Sequence, residues 1–406
     1  MRGELGATRG EEEEEWELLL PSEPRERATC AAWIRRRDSR VLVVMGRASS
    51  SSSSSSPPSL DIFSFDPKTT SLSPEPLVRF PIPGEGADPL QFAVHPSGDE
   101  FVCATKNGCK LFKLVYQEFG VRILSRETPP LESVGLQKCL AFSTDGTKFA
   151  MGGEDGHLRI LHWPSMNVCL DEPRAHKSFR DMDISLDSEF LVSTSTDGSA
   201  RIWKINDGAP LTNLTRNSNE KIECCRFSRD GTKPFLFCTI EKNGKVVTAV
   251  WDISTWNRIG YKRLLGKPVS VLSISLDGKY LALGSNDGDF CVAEVKKMEI
   301  SHWSKKIHLG TRISSIEFCP TERVVISTSS QWGPMVTKLN VPGDWKEWQI
   351  YLVLLSLFLA SAILCYIFYE NSDSFWNFPL GRHQPAKPWN TFKPIDPSQI
   401  PDDQDW

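Results

Sequence analysis

The chain has 406 residues, 40% of them hydrophobic and 24% charged, with a net charge of −4. That is ordinary for a globular protein, and it is neither basic enough to suggest nucleic acid nor drawn to anionic lipid. Eleven cysteines without framework spacing read as reduced thiols of a cytosolic fold, and the adjacent Cys224-Cys225 lacks the spacing of a zinc or redox site, so neither metal nor cofactor is expected.

Residues 1–24 carry the acidic run Glu11–Glu15 and only Leu18–Leu20 as an apolar patch. This is the composition of a flexible, solvated extension and not of a signal peptide. From Ala28 the pattern turns to short β-type runs, Ala28–Trp33, Arg40–Met45 and Leu60–Phe65. Between the second and third stand Gly46, Arg47 and Ala48, eight serines (Ser49–Ser56), then Pro57, Pro58 and Ser59. Residues 49–59 are therefore expected to be a disordered low-complexity insertion.

A repeating unit follows: strand, tight turn, strand, tight turn, strand. It recurs over residues 91–114, 139–161, 182–205, 224–253 and 271–295, with a degenerate copy at 314–340. Asp-Gly and Asn-Gly pairs such as Asp145-Gly146 and Asp155-Gly156 supply the positive φ that tight hairpins need. The first-turn positions 98, 146, 188, 231 and 278 lie 42 to 48 residues apart. A period of that length with short strands indicates a β-propeller of WD-repeat type, and counting the N-terminal strands as one blade gives seven. A closed ring also removes exposed sheet edges. In the copy at 176–203, His176, Ser195, Asp197 and Trp203 occupy the places where WD repeats hold a structural hydrogen-bond relay. The same residue types could suggest a catalytic triad, but the spacing is the structural one.

Ile350–Tyr369 is twenty residues without a charge. A helix of that length covers ~30 Å, the hydrocarbon core of a bilayer. Trp345, Trp348 and Tyr351 flank one end, Tyr366, Tyr369, Phe375 and Trp376 the other, where amphipathic rings suit the headgroup boundary. The expected organisation is an acidic N-terminus at 1–24, a propeller at 25–343, a transmembrane helix at 348–369 and a tail at 370–406. Lysine and arginine counts flanking the span do not set its orientation. The lack of an earlier targeting segment and the cysteine distribution favour a cytosolic propeller and a lumenal tail.

An all-β, seven-bladed WD propeller tied by one C-terminal span resembles the family of endoplasmic-reticulum (ER) proteins that includes the prolactin regulatory element-binding protein and the exchange factor initiating the COPII coat. The resemblance is carried by CAAW at Cys30–Trp33, VLVVMG at Val41–Gly46, the blade order and the anchor. It implies ER residence. In members with exchange activity, the strand matching Val41–Gly46 runs into a glycine-rich loop that binds potassium through backbone carbonyls and presses on the GTPase. Here Gly46, Arg47, Ala48, the serine run, Pro57, Pro58 and Ser59 replace it. Glycine lets carbonyls converge because it tolerates backbone angles that serine does not. The departure is similar to that of the plant branch called phosphate transporter traffic facilitator. The resemblance thus implies no enzymatic activity, phosphate transporter cargo as partner, and a Sar-type GTPase or COPII components as further partners. An active exchange factor for the Sar-type GTPase and a general ER scaffold are the alternatives.

Overall fold

The computed structural model describes residues 28–35, 41–49, 56–117, 120–206, 208–214, 219–232, 234–329, 331–341 and 347–370. The acidic N-terminus, most of the serine run and the C-terminal tail lie outside them.

Seven antiparallel sheets follow one another along the chain as the blades of a propeller. Blade 1 is built on Ala28–Arg35, Val41–Arg47 and Ser59–Asp66, with the short strands Ser71–Leu72 and Val78–Pro81 pairing to the third. Blades 2 to 6 have four strands each, and their innermost strands are Gln91–Val94, Gln137–Phe142, Phe179–Ile184, Glu220–Phe227 and Val269–Ile274. Blade 7 has three, Ile313–Phe318, Val324–Ser329 and Met335–Lys338. The degenerate sixth copy of the repeat thus makes a blade without an outer strand among the described residues.

Each unit is short because its turns are. Gly98, Gly146 and Gly278 take φ of 75°, 72° and 70°, the left-handed conformation a hairpin of this kind demands. Blade 4 holds the same conformation with a serine, Ser188 at φ 59°, which costs about 1 kcal/mol relative to glycine.

No single central core exists. The apolar side chains gather in seven clusters, each lying across the seam between two neighbouring blades. Strands buried on both faces explain the near-continuous apolar runs: Tyr280–Ser285 and Val324–Ser329 are buried at every position. The seam that closes the ring joins Ala31, Trp33 and Val43 of blade 1 to Cys319, Val324 and Ile326 of blade 7. There Trp33 N–H donates to Glu317 Oε2 (3.0 Å) and Trp33 Nε1–H to Glu317 O (3.1 Å).

The helix Glu347–Glu370 has 24 residues, so it is ~36 Å long, and all its described side chains are exposed. It runs one residue beyond the expected span at either end. Trp348–Glu370 is long and apolar enough to cross a membrane. Propeller and helix fall into separate compact units divided between Val341 and Pro342.

Candidate functional site

Three places concentrate the polar residues: the root of the serine-rich loop, the relay in blade 4, and the axial channel.

The loop root lies on paired strands. Arg47 faces Ser59 and Gly46 faces Leu60 across the hairpin, and Gly46 also faces Cys30. Gly46 is needed for close approach: a Cβ there would lie 2.6 Å from Pro89 Cγ and 2.9 Å from Cys30 Sγ. Thr29 Oγ1 donates to Gly46 O (3.2 Å) and Pro89 O (2.6 Å), tying the root to blade 2. Below it sits Asp61, fully buried, with Arg47 Nε at 2.5 Å and Arg79 Nε and Nη2 at 3.1 Å each. A carboxylate without access to water requires such partners. Ser49 N–H donates to Asp88 Oδ1 (2.8 Å), and Lys106 Nζ lies 3.5 Å from the other oxygen. Partial burial pushes the Asp88 carboxyl up, but the hydrogen bonds from Ser49 and the Lys106 charge hold it below the usual range.

The described part of this loop does not fit a potassium site. Gly46 O already accepts from Thr29, and two guanidinium groups stand where a cation would be repelled. Ala48, Pro57 and Pro58 sit at its two ends, outside the strands, and only residues 50–55 lie outside the described ones. No group of three or more His, Cys, Asp or Glu side chains suited to a metal occurs among the described residues.

The relay in blade 4 differs from the expected one. His176 Nε2 meets Ser193 Oγ at 2.7 Å, and Trp203 Nε1 donates to the same oxygen at 2.8 Å. Ser195, expected in that role, lies two residues further along the same face. It closes the hairpin instead: its N–H donates to Ser199 O (2.9 Å) and its Oγ accepts from Asp197 N (3.4 Å). Asp197 accepts from Ser199 N (2.8 Å), and His176 Nδ1 is buried without a hydrogen-bond partner. Burial, with Arg201 nearby, lowers the His176 pKa to about 4 against a weak opposing pull from Asp197. Ser193 is fully buried and its hydroxyl also receives the tryptophan N–H, so the pair is a packing device with no face open to a substrate. Blade 7 holds a second, unanticipated pair, His308 Nε2 to Ser327 Oγ (2.9 Å), with burial lowering His308 to about 4. A histidine shortly before the innermost strand, as in blade 4, was its signal in the sequence.

The axial channel is a cavity of 470 Å³ lined by residues of all seven blades. A ladder of ion pairs joins the innermost strands of blades 4 and 5. Arg180 pairs with Glu223, Arg226 Nη1 reaches both Asp181 oxygens at 2.7 Å, and Arg229 Nη2 reaches Asp183 Oδ1 at 2.8 Å. On the opposite wall, burial raises Glu317 to about 7, offset in part by the Trp33 amide and by Arg226.

Residues 133–161 and 167–204 match the family model "WD domain, G-beta repeat". The chain is similar to SEC12-like protein 1 of Arabidopsis thaliana, 57% identical over 358 residues that cover 87% of this chain and 90% of that protein. SEC12-like protein 2 of the same plant is 34% identical over 287 residues, 69% of this chain and 71% of that protein. The guanine nucleotide-exchange factor SEC12 of Rattus norvegicus is 23% identical over 221 residues, about half of either chain (50% and 52%).

Proposed function

This chain belongs to the SEC12-like protein family, and from that premise we propose that it is an accessory factor in protein traffic out of the ER, without exchange activity of its own. The propeller acts as a binding platform, anchored by Trp348–Glu370 with the propeller in the cytosol and the tail in the lumen. Its cargo is a phosphate transporter on its way to the plasma membrane, and a Sar-type GTPase or COPII components are further partners.

The observation that carries this reading is the loop root. An exchange loop must present a preorganised surface to the GTPase, and fixing a residue's backbone costs ~1–2 kcal/mol. The Arg47–Asp61–Arg79 triad and the Thr29–Gly46 bond support a loop base that is closed, not one that gathers carbonyls around a cation.

A fluorescence nucleotide-release assay with the Sar-type GTPase tests the claim. We expect little or no acceleration of GDP release. Potassium-dependent acceleration comparable to an active exchange factor would overturn it in favour of the exchange-factor reading. For the cargo, transporter abundance at the plasma membrane should fall when the protein is lost; normal abundance would point to a general ER scaffold.

A further inference from the structure

The channel contains hydrogen-bonding groups that the fold does not use. Six innermost strands place the residue one before their C-terminal end at the channel wall: Ala93, Ala141, Asp183, Arg226, Ser273 and Glu317. These positions are equivalent, so they form one layer around the axis. The two alanines leave room on one side, and the 470 Å³ of the cavity lies within the ~300–1,000 Å³ usual for small-molecule sites.

The groups of that layer divide into engaged and open. Asp183 is engaged, its Oδ2 accepting from Phe227 N (2.8 Å) and its Oδ1 from Arg229 Nη2 (2.8 Å). Arg226 is engaged through Nη1 alone, which donates to both Asp181 oxygens (2.7 Å) and to Cys225 O (2.6 Å). Arg226 Nε and Nη2 have no partner among the described residues, and neither does the Ser273 hydroxyl on the adjacent blade. The Nε–Nη2 edge of a guanidinium is a fork that matches two oxygens of a carboxylate or phosphate. Asp183 is balanced by Arg229, whereas Asp181 shares Arg226 with the ligand, so an anion there is held by the hydrogen-bonding edge and not by net positive charge.

We propose that the axial channel binds a small oxoanion of the carboxylate or phosphate type, held by the open Nε–Nη2 edge of Arg226 with the Ser273 hydroxyl beside it. The mouth is ringed by Pro96, Thr144, Leu186, Arg229, Leu276 and Pro320, the loops that follow the innermost strands, and a cavity of this volume has the size for a free small molecule.

The test is calorimetric titration of the full-length chain in an uncharged detergent and a phosphate-free buffer, with inorganic phosphate and with succinate as probes. Saturable one-site binding of at least one probe is expected. Ser273→Asp puts a carboxylate at the open edge and should weaken that binding by tenfold or more, a loss of about 1.4 kcal/mol. Glu317→Gln keeps an oxygen for the Trp33 amide and removes a negative charge from the layer, so at pH 8 it should strengthen binding several-fold. No saturable heat with either probe overturns the proposal. So does unchanged affinity in a folded Ser273→Asp variant or, if that variant does not fold, in Glu317→Gln.

Discussion

Acidification from pH 7 to pH 4 sets two groups of buried residues against each other. His176 and His308 have folded pKa values of about 4 against an ordinary 6.5, so both are neutral in the folded state. Their contribution is fully present above pH 6.5 and is lost as pH falls toward 4, because the unfolded chain takes up protons that the folded one refuses. At 1.36 kcal/mol per pKa unit, each histidine withdraws ~3 kcal/mol over that interval. Glu317 has the opposite sign: raised from 4.5 to about 7, it is best tolerated in acid and costs stability as pH rises through that window. Its contribution is at most ~3 kcal/mol, because the side chain is only half-buried and lines the channel. The wild-type protein should therefore lose at least ~3 kcal/mol on going from pH 7 to 4, whereas Glu317→Gln, without that compensation, should lose ~6 kcal/mol. Urea unfolding of the full-length chain in detergent, followed by tryptophan fluorescence at both pH values, measures the difference. Equal losses in the two proteins, or a larger loss in the wild type, would refute the reasoning.

Removing the relay serine separates the observed arrangement from the expected one. Ser193→Ala leaves His176 Nε2 and Trp203 Nε1 without their partner and should cost ~2–4 kcal/mol, while Ser195→Ala should cost under ~1 kcal/mol by the same denaturation assay. Gly46→Ala drives a methyl into Pro89 and Cys30 and should cost ~1–3 kcal/mol in melting experiments. Asp61→Ala leaves Arg47 and Arg79 without their anion, a loss of ~3 kcal/mol, reduced from the fully buried case because Arg79 is half exposed. Protease added to sealed microsomes should remove the propeller and leave the span with its tail; protection of the propeller would reverse the proposed orientation.

The blades were legible because hairpin turns impose their chemistry locally. A Gly or Asn-Gly pair at a fixed offset marks a positive φ whatever packs around it, and Gly98, Gly146 and Gly278 carry that signal. The helix was legible for a similar reason, since twenty uncharged residues need no partner to be recognised. What the pattern could not resolve is which of two same-face residues reaches across a seam. Ser193 and Ser195 point the same way, and only the hairpin register, with Ser193 opposite Arg201, decides that Trp203 reaches the first. The Arg79–Asp61 pair spans 18 residues, and the Arg226–Asp181 pair joins two blades across 45. Such partners follow from ring geometry and leave no local trace. His308 precedes a copy of the repeat whose first turn has no glycine, so its only signal was its place ahead of the innermost strand.

The Trp33–Glu317 contact links residues 284 positions apart in the chain. During synthesis blade 1 emerges first, and one face of its seam has no mate until blade 7 has been translated. Ala31, Trp33 and Val43 must therefore remain unaggregated through the making of six further blades, a long-range closure of the kind that folds slowly. Blade 7 ends at Lys338 and the apolar helix begins at Glu347, so the ribosome delivers the closing blade and the helix almost together. A nascent chain stalled before residue 313 would expose the open seam to chaperones, and one released after 341 would be able to shut it.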